Sequence, residues 1–214
     1  VKYVNISCCN FVTDSDLMHL KNVRTLIAEY CQFLTNVSGL RGSKIKKLKL
    51  CDCRNLSDVS VLSTLKELKY LSLYLCTNIT SIPALGHVEE LDLSGTNVAD
   101  ISGLQGSKIK NLALCYCDSL RDISVLSTLS KLKYLDLCGC NSITDVPMLG
   151  HVEELNLSYT NISDISGLRG GKIKKLTLSY CLNLRDISVL STLKDLKYLD
   201  LNNCKNITYV PMLG

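Results

Sequence analysis

Histidine and proline are scarce in this chain, with three of each among 214 residues. No Gly-rich phosphate loop, nucleophile elbow or paired histidine–carboxylate set is present, so the sequence offers no catalytic constellation. No apolar run approaches the roughly 20 residues that a membrane-spanning helix needs, which excludes such a span within these residues. No linker, low-complexity tract or shift of composition divides the chain. With 46% hydrophobic residues it is expected to bury an ample core as one domain over 1–214. Neither an enzyme nor a cofactor is expected.

What the chain does have is a period. Pro83, Pro147 and Pro211 stand 64 residues apart, as do His87 and His151, and Leu85, Leu149 and Leu213. A fixed period means one supersecondary unit copied in tandem, each copy burying its neighbour's apolar face. Residues copied at every period, such as His87 and His151, are read as structural, at the turn into a strand.

Each 64-residue block divides into three shorter units. The strand signal is an apolar-x-apolar pair with another apolar residue three positions upstream, as in Leu68/Leu71/Leu73, Val88/Leu91/Leu93 and Ile109/Leu112/Leu114. Ten such signals run in phase from Val4/Ile6 to Leu199/Leu201, with one extra residue in the second unit. Three unit types alternate. A reads VEELDLSGTNVADISGL at 88–104, B reads IKNLALCYCDSLRDISVL at 109–126, and C reads LKYLDLCGCNSITDVPML at 132–149. The order is C-A-B-C-A-B-C-A-B-C.

The common pattern, LxxLxLxx(C/T)x(x)(L/I/V)xDI, resembles the leucine-rich repeat family and covers nearly the whole chain. The DISGL and DISVL tails and short units are similar to the internalin and phosphatase-regulator subclass. The cysteine-containing form, as in CNSITDV at 140–146, also resembles leucine-rich repeat proteins of kinetoplastid parasites. The resemblance implies an α/β-type repeat solenoid, a horseshoe of ten units with one parallel β-sheet on its concave face. The convex segments are expected to be short and mostly non-helical, with Asp16–Leu20 the best place for a helical turn. Val1 already lies within a repeat and Gly214 stops where another strand would begin. The chain is therefore read as a segment of a longer array. Head-to-tail stacking of two copies would put a C strand after a C unit, out of phase.

Side chains alternate along a strand. The pair residues are therefore expected to point inward, and those before, between and after the pair outward onto the concave face. The position before the pair places Tyr70, Tyr134 and Tyr198 on successive C strands, about 14 Å apart, with Glu90, Glu154 and Lys175 on the A and B strands. Ser72, Asp92, Asp136, Asn156, Thr177 and Asp200 fall between the pairs, and Tyr74 follows one. Tyrosine offers stiff contact area with a polar tip, which suits recognition. These thirteen residues form the expected partner-binding face.

Charge does not point to nucleic acid despite a net +4. Glu153 and Glu154 are expected beside Lys174 and Lys175, and Glu89 beside Lys110, as cross-strand pairs. They break any continuous basic stripe. The first A unit lacks the Glu-Glu pair, leaving Lys44, Lys46, Lys47 and Lys49 less balanced.

Twelve cysteines invite a disulfide or zinc reading. Eight of them, Cys9, Cys31, Cys53, Cys76, Cys117, Cys140, Cys181 and Cys204, fall five residues after the first pair residue, where the other two units carry Thr96 and Thr160. The resemblance makes this the ladder site, whose inward side chain donates hydrogen bonds to backbone. Stacked equivalents point the same way, which is poor disulfide geometry. In the CxC pairs, Cys51/Cys53, Cys115/Cys117 and Cys138/Cys140, one sulfur faces outward and one inward. The histidines lie away from the ladder, so no four-ligand zinc site is expected. Cys115 and Cys138, outward on adjacent strands, are the pair best placed to oxidise. Free thiols lean towards a reducing compartment. The N-x-S/T sequons at Asn5, Asn36, Asn55, Asn78, Asn156, Asn161 and Asn206 lean towards a surface. Two functional readings follow: a module binding a protein partner on the concave face, and a structural component such as a rigid spacer, filament or coat. A surface glycan is a third candidate ligand.

Overall fold

The computed structural model describes residues 1–213. Ten strands form one parallel sheet in chain order. They are β1 (Tyr3–Asn5), β2 (Thr25–Ile27), β3 (Lys47–Lys49), β4 (Tyr70–Ser72), β5 (Glu90–Asp92), β6 (Asn111–Ala113), β7 (Tyr134–Asp136), β8 (Glu154–Asn156), β9 (Lys175–Thr177) and β10 (Tyr198–Asp200). The register is the one the repeat predicts. Tyr70 pairs with Glu90, Glu90 with Asn111, Asn111 with Tyr134, Tyr134 with Glu154, Glu154 with Lys175 and Lys175 with Tyr198. The central leucines Leu48, Leu71, Leu112, Leu135 and Leu176 are fully buried. So are their pair partners Leu50, Leu73, Leu114, Leu137 and Leu178. Each such burial contributes about 1.5–3 kcal/mol relative to exposure.

Three residues beyond each strand, four positions after the first pair residue, the chain turns through a left-handed residue. Cys8, Tyr30, Asp52, Leu75, Gly95, Tyr116, Gly139, Tyr159, Tyr180 and Asn203 all have φ between 54° and 71°. The ladder nevertheless runs on through them, because the amide of this residue donates to the next unit, as Tyr159 N does to Ser179 O at 2.8 Å.

The convex side carries 3-10 turns rather than α-helices. Asp16–Leu20 forms one, as expected. The A units add three-residue turns at Ser38–Leu40, Ser102–Leu104 and Ser166–Leu168, and the B units add five-residue turns at Ser60–Thr64, Ser124–Thr128 and Ser188–Thr192. The aspartate of each DIS or DVS motif starts the turn. Asp58, Asp100, Asp122, Asp164 and Asp186 each accept the amide of the serine two residues on, at 2.7–2.9 Å. The C tails at Pro83 and Pro147 stay extended, since proline disfavours the helical region for the residue before it. Gly103 of the next A unit packs on this extended backbone. A Cβ there would lie 2.6 Å from the carbonyl oxygens of both Ile82 and Pro83. His87 and His151 sit in the turns that enter β5 and β8.

The thiol ladder binds unit to unit. Cys53 Sγ donates to Ala28 O at 3.0 Å, Cys76 to Leu50 O at 2.9 Å, Cys140 to Leu114 O at 2.9 Å and Cys181 to Leu157 O at 3.1 Å. Each acceptor belongs to the preceding unit. Thr96 and Thr160 instead donate to Leu93 O and Leu157 O in their own units, at 2.7 and 2.6 Å. Burial pushes the Cys53 and Cys76 thiols up to about 12, those of Cys117 and Cys181 up to about 11, and that of Cys140 further in the same direction.

These thiols keep their protons in the folded chain to higher pH than in the unfolded chain, where the value is 9.0. Their contribution to stability is therefore complete below about pH 9 and is lost as the pH rises towards about 12. Thermal unfolding midpoints should fall across that alkaline window. Replacing Cys53 and Cys76 by alanine should flatten the fall. In the native protein near neutral pH, iodoacetamide should label exposed Cys8 and spare the buried ladder cysteines until denaturant is added, as read by peptide mass mapping.

Candidate functional site

The parallel register places the predicted face where the sequence puts it, with graded exposure. Glu90, Glu154 and Lys175 are exposed, while Tyr70, Asp92, Asp136, Asn156, Thr177 and Asp200 are half-buried. Tyr134 and Tyr198 are 37% and 50% exposed, and Tyr74 is also exposed. Ser72 differs. It lies on β4 at the expected position but is only 2% exposed. Its hydroxyl sits 3.3 Å from Cys51 Sγ and donates to Asp92 Oδ2 at 3.3 Å, so neighbouring strands cover it.

Several of the polar residues are also tied to the fold. Asp92, Asp136, Asn156 and Asp200 each accept, through Oδ1, the backbone amide two residues on, at 2.8–3.1 Å. They hold the strand exits in shape as well as lining the face. The Tyr134 hydroxyl donates to Asp136 Oδ2 at 3.1 Å. Burial, then the Asp136 carboxylate, pushes the Tyr134 phenol up to about 12. It stays protonated as a donor at physiological pH.

Tyr134 is a wall between two hollows. One, of about 150 Å³, is bounded by Tyr70 and Tyr134 with Leu91, Leu112 and Ala113 as an apolar floor and Glu90, Asp92 and Asn111 beside it. The other, of about 80 Å³, lies between Tyr134 and Lys175 over Leu155, with Glu154, Asn156 and Thr177. Tyr74, Tyr198 and Asp200 lie outside both hollows. Asn111 and Ala113 were not singled out in the sequence. Their small size beside two tyrosines is what opens the larger hollow, and the register alone could have shown it.

The charges are more tightly matched than pairwise reading implies. Glu89 bridges Lys69 at 2.9 Å and Lys110 at 2.7 Å, and Glu153 bridges Lys133 and Lys174, both at 2.6 Å. Hydrogen bonds from these lysines hold both glutamates down at about 2. Glu154 and Lys175 are register neighbours, but Lys175 Nζ lies over the Tyr198 ring, 5.6 Å from its centroid. Lys47 Nζ likewise lies 4.5 Å over Tyr70, and Lys49 reaches Glu29 at 4.0 Å. Arg24 pairs with Glu67. The basic region of the second and third units is thus partly answered by aromatic faces and acids. Among the described residues, no group of three or more His, Cys, Asp and Glu side chains could hold a metal, and no helix is long and apolar enough to cross a membrane.

The profile of BspA-type leucine-rich repeat regions matches in six copies, over residues 21–143 and 99–208. The chain belongs to this family. A Trypanosoma equiperdum protein that carries the name of an adenylate cyclase regulatory protein is 30% identical over 170 residues, 74% of this chain. The matched stretch spans 24% of that relative's length, so the chain corresponds to about a quarter of it. Among solved structures, the leucine-rich repeat domain of the type III effector XopL superposes with a TM-score of 0.73 at 19% identity, covering 94% of this chain and 75% of that one. An internalin C2 of Listeria monocytogenes superposes with a TM-score of 0.64 at 24% identity, covering 94% and 80%. At these identities the likeness is one of fold, and it agrees with the internalin resemblance read from the DISGL and DISVL tails.

The lysine–glutamate–lysine bridges generate an acid-side expectation. A carboxylate lowered from 4.5 to about 2 contributes stability that is present above about 4.5 and lost as the pH falls towards about 2. The urea midpoint of the protein should exceed that of an E89Q/E153Q variant at pH 6. The gap should close as the pH approaches about 2, and it should narrow in about 1 M salt.

Proposed function

We propose that this chain is a non-enzymatic interaction module that holds a protein partner on its concave sheet face. Leucine-rich repeat domains commonly serve as interaction modules. The observation that carries the reading here is the placement of Tyr70 and Tyr134 as two walls around an apolar floor, rimmed by Glu90, Asp92 and Asn111. An apolar floor, stiff aromatic walls and a polar rim form the arrangement in which interface hot spots concentrate. A side chain of the partner occupies the larger hollow. Lys175, Glu154 and Thr177 supply orienting polar contacts around the smaller one. Tyr198 and Asp200 continue the face along β10, and Tyr74 borders it at the exit of β4. The name of the Trypanosoma equiperdum relative, a regulator rather than a catalyst, is consistent with such a role.

Site-directed photocrosslinking tests the reading. A photoreactive residue at position 90 or 154 should join the partner, whereas one at Ser127 on the convex side should not. The triple variant Tyr70→Ala, Tyr134→Ala, Tyr198→Ala should keep its circular dichroism spectrum and lose partner affinity by about 100-fold or more, as truncated aromatic anchors typically do. Equal crosslinking from both sides, or unchanged affinity in the triple variant, would refute a concave site.

A further inference from the structure

The left-handed residues at the strand exits form a second surface, along the rim of the horseshoe rather than on its concave face. The backbone there favours glycine, asparagine or aspartate, and a bulky side chain at positive φ is disfavoured. Yet tyrosine occupies four of these positions, Tyr30, Tyr116, Tyr159 and Tyr180, all solvent-exposed, and the last three lie close together in the sixth, eighth and ninth units. Neither backbone preference nor core packing accounts for tyrosine at these sites.

The rings are organised. Tyr159 and Tyr180 stack with centroids 4.5 Å apart and planes 11° from parallel. Tyr116 lies one unit before Gly139, and its ring fills the space that a Cβ on Gly139 would take. The unit between Tyr116 and Tyr159 therefore presents no side chain at this position. A groove of about 330 Å³ opens there, larger than either concave hollow. Asn141 and Asn161 supply its polar lining, Thr160 is buried beneath with its hydroxyl donated to Leu157 O, and Leu182 adds an exposed aliphatic edge. The amides are held in place: Asn161 Nδ2 donates to Asn141 O at 2.7 Å, and Asn141 Nδ2 to Asp118 Oδ1 at 3.0 Å. No charged side chain lines the groove.

This combination selects among ligand chemistries. A phosphate or carboxylate finds no cation in the lining. An aliphatic peptide side chain would cover the second Nδ2 hydrogen of each amide and Asn141 Oδ1 without pairing them, which is unfavourable. An uncharged sugar ring satisfies both halves, with C–H faces against the tyrosine rings and hydroxyls hydrogen-bonded to the amides. We propose that the rim groove between Tyr116 and Tyr159 binds an uncharged hexopyranose unit of a glycan, at a site separate from the concave face.

The chain lacks tryptophan, so its emission comes from ten tyrosines, of which Tyr116, Tyr159 and Tyr180 line the groove; the rim variants identify their share of any change. Four neutral probes, maltohexaose, cellohexaose, mannohexaose and chitohexaose, should be titrated up to millimolar concentration, with calorimetry in parallel. At least one should bind saturably. Tyr159→Ala and Tyr116→Ala, both at exposed positions and checked by circular dichroism, should each weaken it by about tenfold, as loss of a stacking ring would. Tyr159→Phe should retain binding, and Tyr70→Ala with Tyr134→Ala should leave it unchanged. The proposal fails if none of the four probes saturates the unsubstituted protein. It fails equally if binding survives both rim substitutions, or if it is lost on the concave substitutions instead.

Discussion

The molecule depends on the backbone ladder between successive units. Each three-residue strand is too short to stand alone, and its hydrogen bonds go to the units before and after it. The ladder extends past the strand into the left-handed exit residue, whose amide also reaches the next unit. Stacking at about 4.8 Å per strand then fixes everything else, because equivalent side chains of neighbouring units are brought into contact along each row. A row of leucines becomes a core, a row of thiols a ladder, and a row in which each glutamate stands between two lysines a bridged strip.

The thiol row shows how closely the side-chain choices follow this geometry. At this position the side chain must be small enough to bury and able to donate to a carbonyl 24 to 26 residues back in the chain. Cysteine does this across the unit boundary. Where threonine replaces it, the hydroxyl turns to its own unit and lies 3.7 or 3.6 Å from the next thiol, at Cys117 or Cys181. The same constraint on the convex side selects an aspartate to start five of the 3-10 turns and Asn36 to start another, and a glycine where an A unit meets the extended proline tail before it.

Two surfaces are left over from these structural demands. On the concave face, tyrosine recurs at every third strand, and the small residues between make hollows. On the rim, tyrosine stands where the backbone would be better served by glycine. The concave polar residues are not free agents. Asp92, Asp136, Asn156 and Asp200 brace the strand exits, so replacing them would disturb the fold as well as any contact. The exposed tyrosines carry no such duty, which makes them the informative positions.

The sequence by itself determined the unit boundaries, the register of all ten strands and the inward or outward sense of every strand position. A strict period combined with two-residue alternation leaves one way to stack the copies. It also marked the ladder cysteines and one of each glutamate's two lysine partners, since both follow from register. Only the tertiary structure decided how side chains settle between units. Ser72 sinks between Cys51 and Asp92, Lys175 turns from Glu154 to Tyr198, and each bridging glutamate takes lysines from both sides. Tyr116 lies down over Gly139. These outcomes depend on rotamers and on left-handed torsions, and both are set by contact with residues about twenty positions away. Neither the period nor the alternation of the sequence encodes them.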